Sequence, residues 1–366
     1  MDIKAFENVK NELDSLVKQG LPLCGVTVRR HHEKLFEYCV NTQADQRLFL
    51  YSCSKPVTIA GVMRLWERGL IGLDDPVAKY LPAYADVYVM KDGVKTAPET
   101  VMTIRHLMTM TAGLNYDLKT EPILQTIAQG RGDTVSVVNA FAQSPLDFNP
   151  GDRYQYSLAH DVLAAIAEVV SGKPFREYMR EEVFEPLGMT QTSYRWQEEE
   201  IAPQFWFADD SRSYLPQPRT CVYRLSEDYD SGGAGIVSTL ADLSLFVDAM
   251  ACGGTAATGY QLLKPETIDL IRTEQLPSIA KKPDFSCPAG PDYGYGLGVR
   301  TRVRMDGGVN SGFGEFGWDG AAGSFELADP ENGVSIAFVT HVRGWTGIRN
   351  EFHLPIRNAV YEALNA

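Results

Sequence analysis

The chain has 366 residues, of which 44% are hydrophobic and 22% are charged, a composition typical of soluble globular enzymes. A chain of this length exceeds most single hydrophobic cores, so we expect two lobes. Its formal net charge is -13 and it contains no basic run. This charge pattern argues against nucleic acids and anionic membrane surfaces as partners.

The first 20 residues contain several acidic side chains and no apolar segment of the kind found in signal peptides, and no stretch approaches the length of a membrane span. The six cysteines show no Cys-x-x-Cys spacing, which favours reduced thiols. These features predict a cytoplasmic protein. We expect no metal or other cofactor, because there is no His-Glu-x-x-His motif or phosphate-loop pattern and His31-His32 reads as a turn.

In chain order, the patterns predict a helix over 2–19, strands over 24–30 and 35–40, and a helix over 57–68. A mainly helical region follows over 73–232, with helices over 103–111, 158–171 and 176–183, and a further helix covers 239–250. Strands return over 293–303, 324–328 and 334–342, and a last helix covers 347–364. The polar and aromatic segment 197–230 is predicted to be an irregular loop or lid.

Strands at both ends of the chain and helices in its middle predict an α+β fold. We expect an antiparallel sheet that is formed from both termini and flanked by helices, with an inserted, mainly helical lobe. The sheet lobe is assigned to residues 1–72 and 233–366, and the inserted lobe to residues 73–232. A site is expected in the cleft between them.

Ser52 and Lys55 are the most informative pair of residues. They follow an apolar stretch and begin a predicted helix, where a serine hydroxyl lies near the positive end of the helix dipole. Lys55 is on the same helical face as Ile59 and Val62, a position that core residues normally occupy. Burial disfavours a charged lysine, and an uncharged amine beside a serine can accept the hydroxyl proton. The pair therefore predicts a serine hydrolase that forms an acyl-enzyme.

Two observations leave alternatives open. The same Ser-x-x-Lys pattern recurs at 15–18 and 278–281, in polar segments typical of solvated surface. The copy at Ser52 could be a helix N-cap followed by a lysine that reaches water. Cys53 is a rival nucleophile, although a buried cysteine is more often inert.

Further motifs extend the pattern. A tyrosine precedes a predicted helix at 156, and a tryptophan-led motif precedes Ala321. The motifs are Ser52-x-x-Lys55, Tyr156-Ser157-Leu158 and Trp318-Asp319-Gly320, with supporting stretches at 103–108, 111–114 and 233–239. In their order and spacing the chain resembles, over nearly its whole length, the class C β-lactamase group with its penicillin-binding-protein and family VIII carboxylesterase relatives.

The resemblance implies a role for each reacting group. Ser52 is the expected nucleophile, Lys55 its proton acceptor, and Tyr156 the general base and acid that serves the leaving group. Which of Lys55 and Tyr156 takes the first proton stays open, because the two would titrate as a coupled pair. The backbone N–H groups of Ser52 and Ala321 are the expected oxyanion hole.

Two departures from the β-lactamase pattern bear on substrate. Leu158 stands where β-lactamases carry an asparagine, and a tryptophan-led motif with Asp319 replaces Lys-Thr-Gly. The loss of the lysine, together with the charge of Asp319, disfavours substrates that carry a carboxylate. Arg343 or Arg349 could restore a cation. Esterase-like members, among which such a motif occurs, resemble this chain better.

The sequence therefore predicts a carboxylesterase-type hydrolase of small to medium esters or, less favoured, amides. The alternatives are a β-lactamase or D-alanyl peptidase, an acyltransferase, and a catalytically silent binding protein. His160 is expected to be a core residue. The expected substrate-binding residues are Tyr51, Leu158, Trp318, Asp319 and Gly320, with Phe205 and Trp206 in an aromatic lid.

Overall fold

The computed structural model describes residues 3–281, 285, 290–306, 308 and 310–365. The helices in this part of the chain are α1 (Glu7–Lys18), α2 (Ser54–Glu67), α3 (Ile104–Met108), α4 (Glu121–Ala128), α5 (Thr134–Phe141), α6 (Ala159–Ser171), α7 (Phe175–Met179), α8 (Glu185–Leu187), α9 (Leu240–Ala251), α10 (Pro265–Arg272), α11 (Leu276–Ile279) and α12 (Leu354–Asn365). The strands are β1 (Cys24–Arg30), β2 (Glu33–Val40), β3 (Leu48–Phe49), β4 (Val89–Lys91), β5 (Val94–Thr96), β6 (Gln204–Ala208), β7 (Ser213–Gln217), β8 (Val237–Ser238), β9 (Tyr293–Tyr295), β10 (Arg300–Arg302), β11 (Phe316–Asp319), β12 (Phe325–Asp329), β13 (Val334–Val339) and β14 (Val342–Arg343).

The main sheet has seven strands in the order β2-β1-β13-β12-β11-β10-β9, and every neighbouring pair is antiparallel. Strands from the beginning of the chain pair directly with strands from its end, since Gly25 on β1 faces Val339 on β13. The predicted α+β fold, with an antiparallel sheet built from both termini, is therefore confirmed.

Both faces of the sheet are covered, as the sequence of β13 requires. Side chains alternate along a strand, so Ile336 and Phe338 point to one face while Ala337 and Val339 point to the other. The first pair packs in a cluster with α1 and α12, and the second pair joins the larger core under α9. All six residues of β13 are buried, which explains why every one of them except Ser335 is apolar.

Helix α2 is the central element between the sheet and the helical region. It packs against α6 and α7 on one side and β11 on the other. Because it has neighbours on most sides, its buried residues form no single stripe: Val57, Ile59, Ala60 and Val62 are all buried. A group at the start of α2 therefore lies where sheet and helices meet.

Two predictions of secondary structure are wrong. The single strand expected over 293–303 is the hairpin β9–β10, because Gly298 takes a left-handed conformation (φ 74°) and turns the chain between the strands. The expected irregular segment 197–230 contains the hairpin β6–β7, and β6 also pairs in parallel with β14. Pro216 within β7 obscured this strand in the sequence, although proline is tolerated on strands at a sheet edge.

Three further features concern the ends, thiols and membrane spans. The N-terminal helix was predicted from residue 2, which lies outside the described residues; a 3₁₀ turn over Ile3–Phe6 precedes α1. Cys24, Cys39, Cys53, Cys221 and Cys252 are free thiols, and Cys287 is not among the described residues. Of the helices described, none combines the length and the apolarity needed to cross a bilayer.

Candidate active site

Ser52 lies in a 3₁₀ turn, Tyr51–Cys53, immediately before α2. Tyr51 has a φ of 49°, a left-handed conformation that is rare for a bulky residue and costs about 1–3 kcal/mol. Its surroundings hold it there: the side chain is fully buried, the hydroxyl donates to the Gln204 side chain, and the ring packs edge-on against Phe49. This strained turn fixes the direction in which the Ser52 hydroxyl points.

The Lys55 side chain is completely buried. Its Nζ donates to the backbone oxygen of Gly233 at 2.8 Å and lies 3.2 Å from Ser52 Oγ and 3.4 Å from Tyr116 Oη. The alternative in which the lysine extends to water is therefore incompatible with the structure. An amine at this distance from a serine hydroxyl can exchange a proton with it.

The start of α2 is fixed by the segment 232–236, most of which belongs to the supporting stretch 233–239 of the family resemblance. Thr58 Oγ1 donates to the Gly232 oxygen at 2.7 Å, and the Ile236 N–H donates to Ser54 Oγ at 3.1 Å. These two bonds bracket the Lys55 position. The segment thus aligns the helix that carries the amine.

Tyr156, just before α6, is the second group in contact with the serine, and its Oη donates to Ser52 Oγ at 2.7 Å. Its ring stacks between Tyr116 (centroids 5.4 Å apart) and Trp318 (5.8 Å), and Trp318 Nε1 donates to its hydroxyl at 3.4 Å. Lys55 Nζ lies 4.6 Å from the ring centroid, a cation–π distance. The phenol is therefore held on both faces and at its hydroxyl.

The turn after β11 comes close to the nucleophile because residue 320 is a glycine. A Cβ at Gly320 would lie 2.4 Å from the Leu50 carbonyl oxygen, so any larger residue would push the two segments apart. The backbone N–H groups of Ser52 and Ala321 have no acceptor among the residues that the structure describes. Both residues line the same cavity, so these two donors are available to a developing negative charge.

The cavity above Ser52 has a volume of about 480 Å³ and walls that are largely aromatic. Trp318, Asp319 and Gly320, three of the expected substrate-binding residues, line it. Its described lining residues are Ser52, Tyr116, Tyr154, Tyr156, Tyr223, Phe285, Trp318, Asp319, Gly320, Ala321 and Arg349.

Four residues expected at the pocket lie elsewhere. Tyr51 is fully buried beneath the turn, and Leu158 points into the helical core, where it borders a separate small cavity. Phe205 and Trp206 lie on β6 beside β14, not over Ser52. Sequence reasoning missed three of the aromatic residues that line the cavity instead, Tyr116, Tyr154 and Phe285. The fourth, Tyr223, belongs to the segment 197–230 that was predicted to be a loop or lid.

Asp319 is not a lone negative charge in the cavity. Its carboxylate accepts from Arg300 Nη1 and from Arg349 Nε, each at 2.8 Å. Burial alone would raise the pKa of Asp319, but Arg300, His353 and Arg349 outweigh burial and hold that pKa well below its usual value. Of the two arginines suggested by the sequence, Arg349 lines the cavity. The repulsion expected for a substrate carboxylate is therefore largely cancelled.

Replacing Asp319 by asparagine should destabilise the fold, because it leaves the buried guanidinium of Arg300 without its nearest counter-charge. We expect the free energy of unfolding at pH 7 to fall by roughly 3 kcal/mol in urea titrations. Since the folded pKa lies below the unfolded one, this stabilisation is present above about pH 4 and is lost on acidification. When the pH is lowered below 4, the free energy of unfolding of Asp319→Asn should therefore fall less than that of the wild type.

The exposed pair Asp74–Arg105 offers a matched control for that substitution. Asp74→Asn should cost less than about 1 kcal/mol, because solvent screens an exposed ion pair. Equal losses of stability in Asp319→Asn and Asp74→Asn would show that the buried pair of Asp319 and Arg300 contributes no more than an exposed ion pair.

The rival nucleophile Cys53 is excluded by its burial. Cys53 is fully buried, burial raises the pKa of its thiol well above the usual value, and its Sγ points to the Ser324 backbone oxygen. It cannot reach a substrate in the cavity. His160 is also fully buried, as expected for a core residue.

Comparison with known proteins agrees with this geometry. A family model described as Beta-lactamase matches residues 10–355. Protein Rv1367c of Mycobacterium tuberculosis is 29% identical over 334 residues, which cover 82% of this chain and 78% of that protein. Esterase EstB of Burkholderia gladioli is 28% identical over 345 residues, covering 87% and 82%. The solved structure of EstCE1, described as a hydrolase with promiscuous acyltransferase activity, aligns with a TM-score of 0.80 at 25% identity, covering 98% and 99%.

Proposed function

Because this chain belongs to the beta-lactamase family, which comprises serine hydrolases such as esterases, peptidases and β-lactamases, we propose that it is a carboxylesterase-type hydrolase that forms an acyl-enzyme on Ser52. One observation carries the proposal. Ser52 Oγ lies within hydrogen-bonding distance of both Tyr156 Oη (2.7 Å) and the buried amine of Lys55 (3.2 Å). The cavity of about 480 Å³ fits small to medium esters.

In the first step, Ser52 Oγ attacks the ester carbonyl carbon while its proton passes to Tyr156 or Lys55. The carbonyl oxygen becomes an oxyanion and accepts hydrogen bonds from the N–H groups of Ser52 and Ala321, each worth about 2.7–4 kcal/mol in such sites. Collapse breaks the bond to the alcohol, which leaves with the transferred proton. Water then attacks the acylated serine by the same route and releases the acid.

Three features support an ester over a β-lactam. Leu158 supplies no amide, and its side chain points away from the cavity. No described lysine lines the cavity, so the lysine with which β-lactamases bind a substrate carboxylate has no counterpart there. Among the relatives, EstB is named as an esterase.

We place this site at the junction of two lobes, residues 1–72 with 233–366 and residues 73–232. Ser52 comes from the start of α2, Tyr156 from the segment before α6, and Ala321 from the turn after β11. A cleft with reacting groups from separate segments can vary in substrate without a change in the fold.

A substrate panel tests the proposed activity directly. Short-chain p-nitrophenyl esters should be turned over with a kcat/KM well above that for nitrocefin. Nitrocefin turnover equal to that of the best ester would assign the protein to the β-lactamases instead. The hydrolysis must also saturate with substrate, which distinguishes it from a surface nucleophile that reacts non-specifically.

Acyl transfer is the second candidate, because EstCE1 is described as having acyltransferase activity and aligns over almost the whole chain. An alcohol or amine in the cavity would then take the place of water in the second step. Mass spectrometry of products formed with added alcohols separates the two. Acylated alcohol in excess of free acid, at alcohol concentrations far below that of water, would identify a transferase.

A further inference from the structure

Asp161, on the first turn of α6, is a buried carboxyl group that the steps above do not use. It is 1% exposed, and its Oδ1 accepts a hydrogen bond from Tyr229 Oη at 2.7 Å. Its Oδ2 has no partner of good hydrogen-bond geometry within the described part of the chain, although the Ser231 side chain and the Gly233 amide lie near it. A buried carboxylate with one unpartnered oxygen is costly unless an opposite charge is close.

The unpartnered oxygen faces Lys55. A Cβ on Gly233 would lie 2.8 Å from Asp161 Oδ2 and 3.4 Å from Lys55 Nζ, so both atoms border the same side of this glycine. The Gly233 carbonyl also accepts from Lys55 Nζ. With no side chain at position 233, the carboxylate and the amine border one shared space, which the Tyr116 hydroxyl also borders at 3.6 Å from the same Cβ position.

The other titratable groups near Asp161 and Lys55 do not compensate the charge of either residue. They are Cys53 on the turn before α2, His160 on α6, and the phenols of Tyr84, Tyr116, Tyr156, Tyr194, Tyr223 and Tyr229 on the surrounding segments. Burial raises the pKa of Tyr116 and Tyr229 and lowers that of His160, so these three groups are uncharged near neutral pH. Burial also raises the pKa of Asp161, and the positive charge of Lys55 opposes that effect.

We propose that Asp161 is the counter-charge of Lys55: its carboxylate, held by Tyr229 and facing the amine past Gly233, stabilises the ammonium form and thereby sets the pH range in which Ser52 is activated. The inference rests on the proposed function, because it assigns a role within the same site. Asp161 does not reach the cavity, so it is a positioning residue that acts through Lys55.

The test is the pH dependence of Ser52 labelling by a fluorophosphonate probe, which needs an activated serine but no knowledge of the natural substrate. In Asp161→Asn the negative charge is lost while an acceptor for Tyr229 remains. Lys55 should then lose its proton at lower pH, and the limb of the rate profile that depends on Lys55 should move down by about 1 pH unit or more. If the acidic limb moves, the uncharged amine is the active form; if the alkaline limb moves, the ammonium is.

Asp242→Asn is the matched control. Asp242 is also a buried carboxyl whose pKa is raised by burial, but its partners are Thr192 and the Gln191 amide, and none of these residues lines the cavity. Its substitution tests how the removal of any buried carboxyl group affects the pH profile of Ser52 labelling. The profile of this variant should coincide with that of wild type.

An unchanged profile in Asp161→Asn, whatever its absolute rate, would overturn the inference and leave Asp161 a purely structural residue. If Asp161→Asn does not fold, Tyr229→Phe serves instead. It removes the hydrogen-bond donor to Asp161 Oδ1 and so makes the charged carboxylate less stable. The same limb of the rate profile should then move in the same direction by a smaller amount. An unchanged rate profile in Tyr229→Phe would also overturn the inference. Wild-type protein that resists the probe at every pH would overturn the proposed function itself, so the two failures are distinguishable.

Discussion

Replacing Ser52 by alanine is expected to abolish acyl-enzyme formation and to lower kcat for ester hydrolysis by a factor on the order of 10⁴ or more. The change deletes the one hydroxyl in contact with both Lys55 and Tyr156, and it leaves the surrounding turn intact because Tyr51, not Ser52, carries its strain. Intact-protein mass spectrometry after incubation with a short-chain aryl ester should show the acyl mass on wild type and none on Ser52→Ala.

Cys53→Ala is the control for this experiment, since it removes the neighbouring thiol, which is fully buried and contacts the backbone oxygens of Trp318 and Ser324 without lining the cavity itself. It should retain the adduct and the activity. An adduct that persists in Ser52→Ala and disappears in Cys53→Ala would reverse the assignment of the nucleophile. Wild-type protein that forms no adduct and resists fluorophosphonates would instead be a silent binding protein with this fold.

The reacting groups could be predicted from the sequence because their relations are local or carried by a motif. Ser52 and Lys55 are one helical turn apart, so their spacing nearly determines that they meet. The burial of Lys55 could also be inferred, since its helical face continues through Ile59 and Val62. Tyr156 needed the resemblance, because nothing nearby in the sequence indicates that it approaches Ser52 from a segment 104 residues away.

The walls of the cavity could not be predicted, because the direction of a side chain depends on backbone angles and distant contacts. Tyr51 is next to the nucleophile, yet a φ of 49° turns its ring into the core, where Gln204 holds it. An aromatic residue beside a serine looks the same in sequence whether it lines a pocket or supports a turn. Tyr116 and Tyr223, which do line the cavity, pack edge-to-face although they come from distant loops.

The charge of the cavity was misjudged for a similar reason. In sequence Asp319 appears as an isolated acid within an apolar strand. Arg300 reaches it from the neighbouring strand β10, and Arg349 from the turn before α12. The negative charge of Asp319 can be inferred from the motif, but its neutralisation depends on tertiary contacts. The structure therefore removes the main electrostatic argument against substrates that carry a carboxylate.

Replacing Tyr156 by phenylalanine should lower kcat for ester hydrolysis by 10²–10⁴-fold, the usual weight of a general acid–base group. The change removes only the hydroxyl that donates to Ser52 Oγ, and the ring keeps its stacking against Tyr116 and Trp318. The melting temperature should therefore change little, and KM should change much less than kcat. Because the proton is transferred in both half-reactions, stopped-flow measurements should show that acylation and deacylation are both slower.

Tyr116→Phe is the matched control, because the two phenols are stacked on each other and differ in what their hydroxyls touch. Tyr116 Oη lies 3.4 Å from Lys55 Nζ and does not contact Ser52 among the bonds of the described site. Its loss should reduce kcat by less than about tenfold. A Tyr156→Phe variant within tenfold of wild type would mean that Lys55 alone moves the proton. Equal losses in both variants would mean that the Tyr156 hydroxyl is not the specific proton carrier, because both variants keep the aromatic stack.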